Sequence, residues 1–169
     1  FWNYLKIKIK NNSINKINLF IPISFLTLIF LQIAIGAFVS GMDAGKIYNS
    51  WPFMGNNYFP DDNNFTNLFK LSSFSDPSLV QFMHRNLAYV IGVFYLLIFY
   101  KIHKDKKYDL YKPVNFMGFF IFLQILLGIF TIIYGAQIYI SSMHQISSIF
   151  LVSSSVYLLY LNSNQQLSN

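Results

Sequence analysis

Four stretches of this chain stay apolar for too long to suit a soluble domain. Residues 19–41 form a run of 23 without a charge, enough to cross a hydrocarbon core of roughly 30 Å as a helix. A second stretch covers 78–100; Asp76-Pro77 announces it as a helix start, and His84-Arg85 lies just inside it. The third, 113–134, opens on a proline in its first turn, and after the short Gly135-Ala136 turn the fourth covers 137–161. Between the first two spans, residues 42–79 turn polar, with Gly, Pro, Asn, Asp and Ser throughout, and read as a long extramembrane loop. The pattern predicts an all-α fold, a transmembrane four-helix bundle. Its parts are a basic segment at 1–18, the four-span bundle at 19–161 with an outer loop at 42–77, and a polar tail at 162–169 expected to fray.

Composition supports the membrane as the solvent. Of 169 residues, 54% are hydrophobic and 11% charged, and a soluble domain of this size cannot usually bury so much apolar surface. The net charge of +6 would suit nucleic acid only if the basic residues formed a solvated patch. Instead they flank the apolar runs: Lys6, Lys8, Lys10 and Lys16 precede the first, and Lys101, Lys104, Lys106, Lys107 and Lys112 separate the second from the third. That is the distribution of the positive-inside rule, so no nucleic-acid partner is expected. The same rule places both termini and the 101–112 loop on the cytoplasmic or matrix side and the long loop on the other. His103, within the basic loop, is expected to be a solvated surface residue. No cleavable signal peptide is visible, and an opening Phe rather than Met suggests a fragment or one half of something longer. With no Cys, disulfides, thiolate zinc sites, iron–sulfur clusters and thiol catalysis are excluded, which leaves His as the main metal-ligand candidate.

An internal repeat emerges when the first and third spans are aligned. Phe30-Leu31-Gln32-Ile33-Ala34-Ile35-Gly36-Ala37-Phe38 matches Phe122-Leu123-Gln124-Ile125-Leu126-Leu127-Gly128-Ile129-Phe130 at six of nine positions, and each copy is followed by a Met-His pair near the start of the next span. The repeating unit is a helix pair. Spans two and four therefore run in the same direction and carry His84 and His144 at matching depth, roughly 10 Å below the outer boundary. Histidine inside a membrane helix is costly, and two at equal depth on repeat-related helices point to a shared ligand. Two neutral imidazoles on opposing helices suit the two axial positions of a heme iron in a bundle core, so His84 and His144 are the expected iron ligands. Zinc would want a third or fourth protein ligand, and none lies at that depth. Gly36 and Gly128 are expected to allow close approach, either of the ring or of a neighbouring helix. Arg85 either pairs with a heme propionate or snorkels to the outer surface, and Gln32 and Gln124 are expected to hydrogen-bond between helices.

The stretch Gly36-Ala37-Phe38-Val39-Ser40-Gly41-Met42-Asp43-Ala44-Gly45, then Tyr48-Asn49-Ser50-Trp51-Pro52, Met54-Gly55 and Pro60, closing with Val80-Gln81-Phe82-Met83-His84-Arg85, resembles heme A synthase, in particular its mitochondrial and alphaproteobacterial branch. The likeness runs from the first span to the region of Ser142 and Gln145. It implies one half of an eight-helix pseudo-twofold fold, the C-terminal half, which in that family holds a b-type heme between two histidines, here His84 and His144. It implies as partners the heme O substrate, whose methyl group is oxidised to formyl for cytochrome c oxidase, an N-terminal four-helix half, and membrane lipid. A homo-oligomer stays compatible with the sequence. The family's other half carries a Glu-x-x-His-Arg motif whose Glu is implicated in catalysis; here the position before His84 is Gln81, so no catalytic residue is assigned to this chain. The resemblance also implies an energy-transducing membrane, the mitochondrial inner membrane or a bacterial plasma membrane. The competing readings are a bis-histidine b-type electron carrier and a bundle whose histidines bind nothing; the long loop motif favours the first reading over both.

Overall fold

A computed structural model describes residues 16–163. Four long helices carry the architecture: α1 (Phe20–Gly41), α2 (Pro77–Lys104), α3 (Tyr111–Ile133) and α4 (Ile138–Ser163). Among the described residues the only β-type pairing is an isolated bridge between Met54 and Asn57. All four helices are long and apolar enough to cross a membrane, and the chain is a multi-pass membrane protein.

The helix ends follow local chemistry. The Asp76 carboxylate caps α2 by accepting from the backbone N–H groups of Ser78 at 3.0 Å and Leu79 at 3.1 Å, and Pro77 occupies the first position, where an N–H would have no partner. The helix continues beyond Tyr100 to Lys104, because Lys101, His103 and Lys104 complement its negative C-terminal end. α3 begins two residues ahead of Pro113, after the 3-10 turn Tyr108–Leu110, so that proline still falls in the first turn, where its missing donor costs nothing.

α1 lies along α2 and α3 along α4, and lighter contacts of α1 with α4 and of α2 with α3 close the bundle. Phe25 and Ile29 of α1, Ile98 of α2, Met117 of α3 and Leu158 of α4 meet in the core. The outward faces carry exposed Val93, Leu97, Phe119, Phe122 and Ile149, a surface that only lipid or another apolar face would cover.

Two sequence expectations change. Asn162 does not begin a frayed tail: it is buried within α4, accepts from Ile17 N–H at 2.9 Å and donates to Ile17 C=O at 3.0 Å. A primary amide matches both orphan groups of one residue, and this fastens the entry of α1 to the end of α4. His103 is not a solvated surface residue either. Its ring is half-buried and stacked between Phe99 at 4.0 Å and Tyr111 at 4.2 Å, with Nδ1 2.9 Å from the Phe99 carbonyl oxygen. The surrounding lysines suggested water, but the i−4 aromatic and the following helix supply a slot. The expected basic segment at 1–18 and tail at 162–169 otherwise lie mostly outside the described residues.

Candidate functional site

His84 lies seven residues into α2 and His144 six into α4, so the matched depth expected from the repeat is present. Their ring centroids are 6.5 Å apart, with the ring planes at 82°. A first-row metal bonded at about 2 Å to one nitrogen of each ring would separate the centroids by roughly 6–6.5 Å with the nitrogens on opposite sides of it, and by roughly 5 Å in a tetrahedral site. The spacing matches that of a shared metal.

The repeat is also visible as a duplicated set of contacts. Gln32 donates its amide to the His84 carbonyl at 3.0 Å, and Gln124 donates to the His144 carbonyl at 2.9 Å. Four residues further along, a Cβ added at Gly36 would meet His84 Cε1 at 3.0 Å, and one added at Gly128 would meet His144 Cε1 at 3.3 Å. The ring that these glycines admit is thus the imidazole of the next helix. Each helix pair positions one histidine by the same two devices, an amide on its backbone and a missing side chain beside its ring. At His84 the amide does more. Gln32 Nε2 is also 3.3 Å from His84 Nε2, and because the carbonyl fixes which amide end points inwards, that ring nitrogen is an acceptor. A metal ligand needs that same lone pair, so ligation through Nε2 displaces the second Gln32 contact while the first can stay. Gly36→Ala is expected to disturb ligand binding more than Gly128→Ala, by an overpacking cost of about 1–3 kcal/mol at the tighter site. Parallel binding isotherms of the two variants would check the order.

Both histidines line one cavity of about 900 Å³, near the upper end of the ~300–1,000 Å³ common for ligand sites. Six buried side-chain atoms without a hydrogen-bond partner belong to residues lining it: Gln32 Oε1, Gln81 Oε1, His84 Nδ1, Arg85 Nε, Ser141 Oγ and His144 Nδ1. Buried polar groups are nearly always satisfied, so such a concentration around one void marks a place for a polar-edged ligand. Among the described residues no group of three His, Cys, Asp or Glu could hold a metal ion, and His84 and His144 are the two imidazoles that line the cavity. The donor set and the shape fit a heme.

The long loop roofs this cavity. Arg85 is buried, with Nη1 donating to the carbonyls of Ser50 at 2.9 Å and Phe53 at 3.3 Å and Nη2 to that of Tyr48 at 2.9 Å. It therefore does not snorkel to the surface; three carbonyl dipoles offset the charge it buries, and its free Nε is the donor left over. Gln81 adds a bond to the Tyr48 carbonyl at 3.1 Å, while Asn49 crosses to the other helix pair and donates to the Ile132 carbonyl at 2.9 Å. Further out, Asp62 accepts from Tyr48 O–H at 2.9 Å and Ser78 O–H at 2.6 Å. Burial acts to raise the Asp62 carboxyl, but the bonds from Ser78 and Tyr48 outweigh it and hold it below the usual value. Its contribution to the loop is accordingly present above its unfolded value of about 3.9 and lost as pH falls through the lower folded one.

Comparison with known proteins gives this arrangement a family. The family of cytochrome oxidase assembly proteins, COX15-CtaA, matches residues 1–156. The chain belongs to that family. Within it, the heme A synthase of Pelagibacter ubique strain HTCC1062 is 46% identical over 166 residues, covering 97% of this chain and 48% of that protein. The heme A synthases of Rickettsia prowazekii strain Madrid E and Rickettsia bellii strain OSU 85-389 are 37% and 36% identical, over 82% of this chain and 41% and 42% of theirs. The chain thus spans about half the length of, or less than half of, these curated relatives. No solved structure matches it significantly. In this COX15-CtaA family member, Lys46, Trp51 and Ser141 also line the cavity, and sequence reasoning did not single them out as site residues. Trp51 stood inside the loop motif and could have been suspected; Lys46 and Ser141 carry no spacing signal at all.

Proposed function

We propose that the chain is the heme b-binding C-terminal half of a heme A synthase, in which His84 and His144 would hold the iron of one heme. The observation that carries this reading is the pair of imidazoles 6.5 Å apart, each set by an equivalent glutamine and glycine, beside a cavity rich in unpartnered polar atoms. When bound, the heme supplies a one-electron iron centre. The chain's own residues hold it: Gln32 and Gln124 fix the helices that present the histidines, and Gly36 and Gly128 leave room for the rings. Arg85 fastens the loop over the outer end and limits water there. Its Nε and the Lys46 ammonium, the latter paired with Asp43 at 2.8 Å, are the cations available to heme propionates.

The activity belongs to the whole enzyme: oxidation of the heme O methyl group to formyl for cytochrome c oxidase, in an energy-transducing membrane. Gln81 occupies the position of the acid of the catalytic half, and its amide is spent on the loop. The partner is then an N-terminal four-helix half, on the same chain or a separate one, and lipid covers the remaining apolar faces. A free-standing b-type electron carrier needs only the histidines and gives no reason for a loop held at three carbonyls by a buried arginine. To test the reading, the purified chain is titrated with heme in detergent: binding should saturate at one heme per chain with a low-spin spectrum. Saturation with a high-spin spectrum, or no saturable binding, overturns it.

A further inference from the structure

The outer loop carries a second feature, separate from the heme cavity. Its part nearest α2 folds into two consecutive 3-10 helices, Phe65–Phe69 and Leu71–Ser75. These short turns are two-sided. Asn63 donates to Asp76 at 3.0 Å and Asn67 donates to Asn63 at 3.3 Å, so the polar side faces inwards and ties the segment to the cap of α2. The apolar side points away from the protein: Phe65 is 59%, Phe69 78% and Leu71 88% exposed. In water such a cluster is unfavourable, and scattered chance exposure does not explain three large side chains within seven residues.

Chain continuity and one ring contact fix the position of this cluster relative to the spans. Its last residue, Ser75, is followed at once by Asp76, the cap of α2, so one end sits at the outer limit of a span. At the other side Phe74 packs against Phe38 of α1 with centroids 6.0 Å apart. Phe38 lies three residues inside the end of α1, roughly 4.5 Å below it, and is itself exposed on the outward face of the span. Through Phe74 the apolar side of the loop thus adjoins the exposed apolar surface of a transmembrane helix near the end of that helix. Lys70, between the two 3-10 helices, is exposed, and its ammonium donates to Asn67 Oδ1 at 2.8 Å, which leaves two of its three donors for other partners such as anionic headgroups.

We propose that residues 65–75 form an interfacial anchor, with Phe65, Phe69 and Leu71 inserted into the outer leaflet of the lipid bilayer. The long loop is then extramembrane only in part: residues 42–62 roof the cavity, while 65–75 lie in the interface and hold that roof at a fixed height above the histidines.

The absence of cysteine allows a clean test with the full chain in liposomes of phosphatidylcholine and phosphatidylglycerol. Single cysteines are introduced by Leu71→Cys, by Phe69→Cys and, as a control on the loop, by the exposed Asn64→Cys. Each is labelled with an environment-sensitive dye, and quenching by a lipid carrying a shallow nitroxide is compared with quenching by iodide present on both sides. At positions 69 and 71 the nitroxide lipid should quench severalfold more strongly than at 64, and iodide severalfold less. If iodide quenches all three alike, the segment faces water and the proposal is wrong. If positions 69 and 71 are shielded from iodide and from the nitroxide lipid together, protein covers the patch, whether a second copy or a partner half, and the proposal is equally overturned. Heme binding enters none of these readouts.

Discussion

Replacing His84 or His144 with Ala is expected to abolish the low-spin spectrum of the heme-loaded chain, leaving either high-spin heme held by one histidine or no heme at all. The effect should be nearly complete, because in the proposed site each ring would supply one of two bonds to the iron and no third His, Cys, Asp or Glu is grouped with them among the described residues. The two variants need not be equal. His84 has Gln32 beside its Nε2, so in His84→Ala an amide remains in the vacated space, whereas Gln124 beside His144 is engaged with Ser147 at 2.7 Å and with the His144 carbonyl. Added imidazole should restore the low-spin spectrum in either variant by filling the hole left by the ring. Low-spin spectra in both single variants without added imidazole would show that the ligands lie elsewhere.

Expression of this chain in a host that makes heme O but lacks its own synthase is expected to yield no heme A, and heme A should appear once a partner half with Glu-x-x-His-Arg is supplied. The chain contains no Glu, and Gln81, which the proposed reading aligns with that acid, has its amide nitrogen donating to the Tyr48 carbonyl. A carboxamide cannot give up a proton near neutral pH, so it cannot act as a general base. A heme held by both His84 and His144, as proposed, would have no iron position left for a further ligand and would be suited to holding or passing an electron. Gln81→Glu alone should not create activity, since the loop and the iron ligands stay as they are. Heme A extracted from cells carrying only this chain would place the chemistry in the wrong half.

Much of this architecture is legible because membrane spans are written in long-range composition. Uncharged runs fix the helices to within a few residues, and the repeat fixes the depth of the two histidines, since the equal spacing of Gln32, Gly36 and Gln124, Gly128 carries over directly into space. Other features depend on what the backbone does. Arg85 is an intramembrane charge by sequence, but the carbonyls of Tyr48, Ser50 and Phe53 that receive it have no residue identity to read, so its role as a loop fastener could not be seen. His103 was read from its charged neighbours, although its environment comes from Phe99 one turn earlier and Tyr111 on the next helix. Asn162 looked like the start of a polar tail for the same reason, while its partner, Ile17, is at the far end of the chain.

Low-temperature electron paramagnetic resonance of the ferric heme-loaded chain reports on both histidines at once. In a bis-imidazole heme the angle between the ring planes sets how far the two iron orbitals that mix with the ligands are split. Rings that kept the 82° of this structure on binding would leave the two nearly equal in energy, so that orbital angular momentum survives and the spectrum becomes strongly anisotropic. One low-spin species is expected, dominated by a single feature at low field, which disappears in His84→Ala and in His144→Ala. A high-spin signal from the unaltered chain, or a low-spin rhombic triplet typical of parallel rings, would contradict a heme held between His84 and His144 as they stand here.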